Sequence, residues 1–400
     1  MYNFDEIIDR RHTNAMNTDG FREYIFHADE TMTFPYKDEE FIRMWVADME
    51  FATPDVVIDA IRERLDKRIF GYSRVFEKGY YEAFSAWCQR RYGWSFPKEE
   101  LVMSNGIIPA LYELVEYITR EDEKVLFLTP SYAYFKYAAD FNHRECVCSD
   151  LTNEDGYYTV NWEDLADKAA DPKTPLLILC NPHNPVGRVW TAEELSRIAA
   201  ICEQNGVFVI SDEVHCDHLR AGVRFTPYLT ACGDKGKAIS LVGINKSFNM
   251  AGLSCSNAVI QDEDLRREVL ENYPMVMPSP FAIAGHIAAY TEGDEWMDQV
   301  CAYIDGNIRW ALDFFAREMP KVKVGCPEGT YFLWLDFRGY GLSDEEVHKR
   351  IYQDANVFLQ DGTVHDPEAG HCFQRMCVPC ARSVLETACR RIRDAFSDID

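Results

Sequence analysis

The sequence has no apolar run approaching the roughly 18 residues of a membrane-spanning helix. It has no excess of positive charge either. Lys and Arg number 41 against 66 Asp and Glu, a formal net charge of −25 that repels nucleic acid and anionic lipid and mainly favours solubility. A compact cysteine framework is also missing: fourteen cysteines spread over 400 residues predict reduced thiols used as small buried side chains. There is no internal repeat and no low-complexity linker, and the opening MYNFDEIIDRRH is charged where a signal peptide would be apolar. These absences predict a cytoplasmic chain that binds neither nucleic acid nor membrane.

What is present is an apolar content of 47%, enough for large cores, in a length that allows two or three domains. The runs VLFL (125–128), LLILC (176–180), VFVIS (207–211) and AISLVGI (238–244) are short, continuous and separated by helical or loop material. Such runs predict strands buried on both faces of a mainly parallel sheet. Between the second and third lies TAEELSRIAAICEQNG, where Thr191 and Glu194 form a capping box and Gly206 supplies the stop, completing a βαβ unit. From about residue 290 the pattern changes to long helices (294–317 and 343–355) with strand candidates at YFLWLDF and FQRMCV. The expected organisation is an N-terminal segment (1–45) packing with a small domain, a large domain (46–288) and a small α+β domain (289–400).

In open α/β sheets ligands bind beyond the carboxyl ends of the strands. The residues found there are NPHNPVG after LLILC, DEVHCD after VFVIS, and Asn245 with Lys246 after AISLVGI. Upstream, SNGIIPALYELVEYIT opens a helix on a Ser-Asn-Gly turn, which presents free N–H groups and a positive dipole end to an anion. Lys246 is the odd member, because no carboxylate lies within several residues of it. His215 and His218, and Cys372, Cys377 and Cys380, lack the paired spacings of a four-ligand zinc site, and the alternation in FQRMCV reads as a strand; no metal is expected.

Taken together, SNG (104–106), PSY (130–132), NPHNPVG (181–187), SDEVH (211–215), NKSFNMAGL (245–253) and the arginine of FQRMCV resemble the class I/II aminotransferase superfamily of fold type I pyridoxal-phosphate enzymes. The motifs run in order across residues 45–385. WVADMEFATP (45–54), GYSR (71–74), NPHNPVGRVW and SFNMAGL further resemble its MalY/PatB-type cystathionine β-lyase branch. The resemblance implies an α/β fold, with a seven-stranded, mainly parallel sheet between helices in the large domain and a smaller α+β domain beside it. It also implies pyridoxal 5′-phosphate as cofactor and a homodimer with active sites at the subunit interface.

Residue by residue, the resemblance makes Lys246 the Schiff-base lysine and general base, a role that suits an amine whose pKa is lowered in a low-dielectric pocket. Asp212 matches the aspartate that pairs with the pyridine nitrogen, and Asn184 the donor to the phenolic oxygen, with His215 assisting. Tyr132 matches the ring stacked on the pyridine. Gly106, Ile107 and Ile108 match the amides that hold the phosphate, together with hydroxyls such as Ser247. Tyr72 matches a tyrosine that reaches the phosphate in the neighbouring subunit. Arg375 matches the arginine that grips the substrate α-carboxylate, with Asn184 and Asp48 on the same substrate side.

Three positions depart from the common pattern. Ser254 stands where many relatives have a phosphate-binding arginine, which agrees with the lyase branch. Asn245 replaces a frequent serine, and Cys377 replaces the asparagine two places after Arg375. The expected activity is cleavage of L-cystathionine or a related cysteine S-conjugate by β-elimination, giving a thiol (homocysteine), pyruvate and ammonia. Two alternatives remain: an aminotransferase acting on an aromatic or neutral amino acid, whose pocket Tyr72, Trp45 and Phe248 could line, and a non-catalytic regulatory domain. The second conflicts with the acidic charge and with the short segment ahead of WVADMEF.

Overall fold

The computed structural model describes residues 1–20, 37–75, 78–233, 237–272 and 276–399. Seven strands form the main sheet: β1 (Leu101–Ser104), β2 (Lys124–Thr129), β3 (Glu145–Asp150), β4 (Leu176–Cys180), β5 (Phe208–Asp212), β6 (Ala238–Val242) and β7 (Ser256–Ile260). Their order is β1-β7-β6-β5-β4-β2-β3, and only β7 runs antiparallel to its neighbours. Every residue of β4, β5, β6 and β7 is buried, which is why three of these strands read as unbroken apolar runs. Each buried Leu or Ile in them contributes about 1.5–3 kcal/mol relative to exposure. The edge strands β1 and β3 are only partly buried and interrupt their apolar residues with polar ones, LVMS and ECVCSD, so they show no comparable run.

Register decides where the loops emerge. Cys180 pairs with Asp212 and Asp212 with Leu241, so β4, β5 and β6 end level and their following loops lie side by side. The βαβ crossover between β4 and β5 is the helix Ala192–Asn205, held by both bonds of the Thr191/Glu194 capping box and ended at Gly206, whose φ of 70° suits glycine. After β1 the helix Ile107–Ile118 begins at Gly106, whose φ of 138° only glycine adopts without strain.

A second, four-stranded antiparallel sheet joins Lys323–Val324, Phe332–Asp336, Phe373–Cys377 and Gln360–Asp361 in that spatial order. The helices Asp294–Glu318 and Arg382–Phe396 accompany it. The helix expected over 343–355 is a short α-helix, Asp344–His348, continued by a wider π-type turn over Lys349–Asp354. Residues 1–20 lie against Asp294–Glu318 and the 48–51 stretch. Phe4 packs on Phe51, Trp296 and Tyr303 at centroid distances of 5.0, 6.0 and 5.4 Å, and the Tyr2 N–H donates to Gln299. The rest of the expected N-terminal segment, residues 21–36, falls outside the described residues.

All fourteen cysteines are free thiols, and Cys326 is the exposed one. No described helix is long and apolar enough to cross a membrane, and among the described residues no three His, Cys, Asp or Glu side chains gather as a metal site would require.

Candidate active site

The level ends of β4, β5 and β6, with the start of helix Ile107–Ile118, enclose a cavity of about 260 Å³. Lys246 enters it from the turn after β6. Its ammonium donates to the Ala47 carbonyl at 2.8 Å, and the same oxygen accepts the Tyr331 hydroxyl at 2.9 Å. Burial pushes the amine's pKa down against the opposing pull of Asp48, so the neutral, nucleophilic form is favoured relative to a surface lysine.

The main chain around Lys246 is fixed from behind. His218 Nε2 bonds to the Lys246 carbonyl at 3.1 Å, and the Ser247 hydroxyl donates to Asp217 at 2.6 Å. The second oxygen of Asp217 accepts the Tyr92 hydroxyl at 2.5 Å. Burial lowers the His218 pKa to about 3, so the ring is neutral and can present one N–H to that carbonyl. Sequence alone does not mark these positioning residues, and its spacing tests His218 only as a metal ligand. The available signal is the clustering of Asp217 and His218 just past Asp212, in a loop that the register sets beside the turn after β6.

Asp212 ends β5 and is buried. The Val214 N–H donates to its Oδ1 at 3.2 Å, and burial raises its pKa to about 7. A carboxylate so poorly supplied with donors suits a cationic partner in the cavity. Glu213 faces away: its Oε1 accepts the Ser211 hydroxyl at 2.9 Å and the Tyr228 N–H at 2.7 Å, and burial raises its pKa to about 8. His215 lines the cavity, with its rim set against the rings of Tyr331 and Phe332 and its Nδ1 buried without a hydrogen bond. Burial drives its pKa far down, so it too is neutral.

Arg375 projects from Phe373–Cys377 in the second sheet. It donates through Nη1 to Asn184 Oδ1 at 3.1 Å and through Nη2 to the Trp45 carbonyl at 2.7 Å, over the Phe332 ring at 4.2 Å. Its buried Nε has no hydrogen-bond partner, and among the described residues it forms no ion pair. A desolvated guanidinium held by neutral groups is a ready receptor for a carboxylate. Arg375, Lys246 and Asp48 share a second, outer cavity of about 740 Å³ that adjoins the first.

The structure therefore gathers Lys246, Asp212, Asn184, His215, Tyr132, Gly106, Ile107 and Ile108 around the inner cavity, where Asn245 and Ser254 also lie. Ser247 is not brought there; its hydroxyl is committed to Asp217. Phe248 lines neither cavity and is stacked on Trp296 inside the core. Tyr72 is 95% exposed and lines neither cavity of its own chain. Asn181 shapes the loop after β4, binding Thr226 and Trp190 main-chain groups.

The donor set fits pyridoxal phosphate. Asp212 awaits a protonated ring nitrogen, Asn245 and His215 carry buried polar atoms without partners, and a helix N-terminus opens on a glycine that leaves its amides accessible. If His218 sets the Lys246 main chain, His218→Ala should lower kcat about tenfold with little change in KM, by the loss of one buried hydrogen bond; because unfolded protein would also lower the apparent kcat alone, the rate is normalised to the concentration of bound cofactor, and a normalised kcat equal to the native value would show merely a loss of folded protein.

This sheet, this lysine and this aspartate define a pyridoxal-phosphate enzyme of fold type I. The sequence model of the Aminotransferase class I and II family matches residues 39–392, and the chain belongs to that family. It is 37% identical to cystathionine β-lyase PatB of Bacillus subtilis (strain 168), covering 88% of this chain and 92% of that protein. It is 28% identical to protein MalY of Escherichia coli (strain K12) over 96% of both. The pyridoxal-phosphate-bound C–S lyase from Staphylococcus hominis superimposes with a TM-score of 0.92 at 40% identity, covering 99% of this chain and 98% of that one. Cystalysin from Treponema denticola, which contains pyridoxal 5′-phosphate, does so with a TM-score of 0.91 at 27% identity over the whole of both chains. Pyridoxal 5′-phosphate is the cofactor of this chain.

Proposed function

We propose that the chain is a C–S β-lyase that converts L-cystathionine, or a cysteine S-conjugate like it, to a thiol, pyruvate and ammonia; from cystathionine the thiol is homocysteine. The observation that carries the reading is the placement of Arg375, which has no ion-pair partner among the described residues, in the same cavity as the buried amine of Lys246, with Ser254 on the cofactor side. The similarity to PatB and to the Staphylococcus hominis C–S lyase supports it.

In this reading Arg375 holds the α-carboxylate by its fork of donors and so fixes the α-carbon. Bound pyridoxal phosphate supplies the electron sink for the charge left at that carbon. Lys246 Nζ takes the α-proton, steadied by the Ala47 carbonyl. The Asp212 carboxylate would hold the proton on the ring nitrogen, and the Asn184 amide, its oxygen occupied by Arg375, would have its N–H free for the phenolic oxygen. The Cβ–S bond then breaks with its electron pair on sulfur, the leaving thiolate takes a proton, and the enamine left behind adds water to give pyruvate and ammonia.

The amides of Gly106, Ile107 and Ile108 are proposed to take the phosphate. Tyr72 is proposed to complete the site of a second copy, since Ile69, Phe70 and Tyr72 form an exposed apolar stretch of a kind that a homodimer would cover. We read residues 46–288 as the cofactor-binding domain, 289–400 as the small domain with 1–45 packed on it, and the cytoplasm as the compartment, in keeping with the reduced thiols.

The test is to supply L-cystathionine without a keto acid and to follow pyruvate and free thiol. Multiple turnovers are expected. Turnover that stops after one equivalent and resumes on addition of a keto acid would establish the aminotransferase reading instead.

A further inference from the structure

The outer cavity is lined by three charged residues that the reaction leaves unused, Arg10, Asp48 and Glu50. Lys246 and Arg375, which line the same cavity, mark where the α-carbon and its carboxylate sit. Arg10 donates through Nη2 to Asp48 at 3.0 Å and through Nη1 to Glu50 at 3.1 Å, and Asn17 adds a bond to the same Glu50 oxygen at 2.8 Å. One guanidinium is therefore shared by two carboxylates, and the wall keeps a net charge of −1. The three side chains are 24%, 21% and 31% exposed, which weakens solvent screening without removing it.

Asp48 directly follows Ala47, whose carbonyl holds the Lys246 amine, and Arg10 reaches it from the N-terminal segment. The triad therefore borders the same cavity as a substrate seated on Arg375, and that cavity has room for the part that extends beyond the β-sulfur. Resting on the lyase function proposed for the site, we infer that the Arg10–Asp48–Glu50 triad is a specificity site for the leaving group, selecting cysteine S-conjugates whose far end carries an ammonium and disfavouring those that end in a lone carboxylate. In L-cystathionine, which has both, the ammonium lies toward the carboxylate pair and the carboxylate toward Arg10. Discrimination here is electrostatic, by attraction for one charge and repulsion of the other.

The test compares three conjugates on the cofactor-loaded enzyme: S-aminoethyl-, S-propyl- and S-carboxyethyl-L-cysteine. The native chain should rank them in that order by kcat/KM. Glu50→Gln makes the wall neutral and should lower the ratio of aminoethyl to carboxyethyl turnover about tenfold; Arg10→Gln makes it −2 and should raise that ratio by a similar factor. A merely structural role for the triad would move all three substrates together in both variants. Ratios that shift in the same direction in the two variants, or that stay within twofold of native, would overturn the inference. Turnover of the S-propyl conjugate reports whether each variant is folded. If the native chain cleaves none of the three, nor cystathionine, the lyase reading itself fails; if it cleaves all three equally, only this inference does.

Discussion

Lys246→Ala is expected to abolish turnover, with kcat lower by about 10⁴-fold or more, and to remove the absorption band of the lysine-bound cofactor. Two losses combine in this variant. The amine that carries the cofactor is gone, and so is the base that takes the α-proton. No neighbour can replace it, because His215 and His218 are neutral rings whose pKa values burial has pushed far below the working range. Added cofactor should still bind through the groups around Asp212 and Gly106. Measurable multiple turnover by this variant would show that the base lies elsewhere.

Asp212→Asn is expected to lower kcat by about 10³-fold, since a neutral amide cannot hold a proton on the ring nitrogen. The same substitution should reveal itself without substrate. Burial raises the folded pKa of Asp212 to about 7, above the ordinary value of 3.8. For a carboxyl group the sign is then fixed: the folded state binds the proton more tightly than the unfolded state does. Asp212 thus costs nothing below pH 4, and its penalty grows by roughly 1.4 kcal/mol for each pH step of one until the folded pKa is reached. Neutral buried histidines, His215 and His218 among them, shift stability in the opposite sense below about pH 6.5, so the effect of Asp212 is read as a difference: the melting temperature of cofactor-free Asp212→Asn minus that of the native protein should rise between pH 5 and pH 7. Glu213, raised to about 8 for the same reason, acts in the same direction in both proteins and so cancels from that difference. An unchanged slope in the variant would mean that Asp212 is not desolvated when the cofactor is absent.

The parts of the molecule legible in the sequence share a physical cause. Strands β4, β5 and β6 are buried on both faces, so their apolar runs are continuous and their ends can be placed within a residue or two. The residues just beyond those ends, Asn184, Asp212 and Lys246, can be found because a parallel sheet puts its ligands there. Edge strands β1 and β3, and the antiparallel β7, mix polar with apolar residues and leave no such mark. Ser247 departs from expectation because adjacency to Lys246 in the chain does not fix which way a hydroxyl points; Asp217, buried and in need of a donor, claims it. Phe248 departs similarly, since the core beside Trp296 offers an aromatic ring more burial than a polar cavity does. Arg10, Asp217 and His218 are illegible because their partners lie 28 or more residues away along the chain, beyond any local pattern.

Arg375 and Lys246 stand on different sheets, and the bonds from Arg375 to Asn184 and to the Trp45 carbonyl pin one sheet to the other. The reach from carboxylate grip to proton acceptor is therefore set like a caliper, by how two separate jaws are clamped and not by either jaw alone. Substrate length is gauged across that gap. Loosening the clamp, for instance through Asn184, should blur the gauge before it dulls the chemistry, admitting amino acids of the wrong length at a site whose amine and aspartate are still in order.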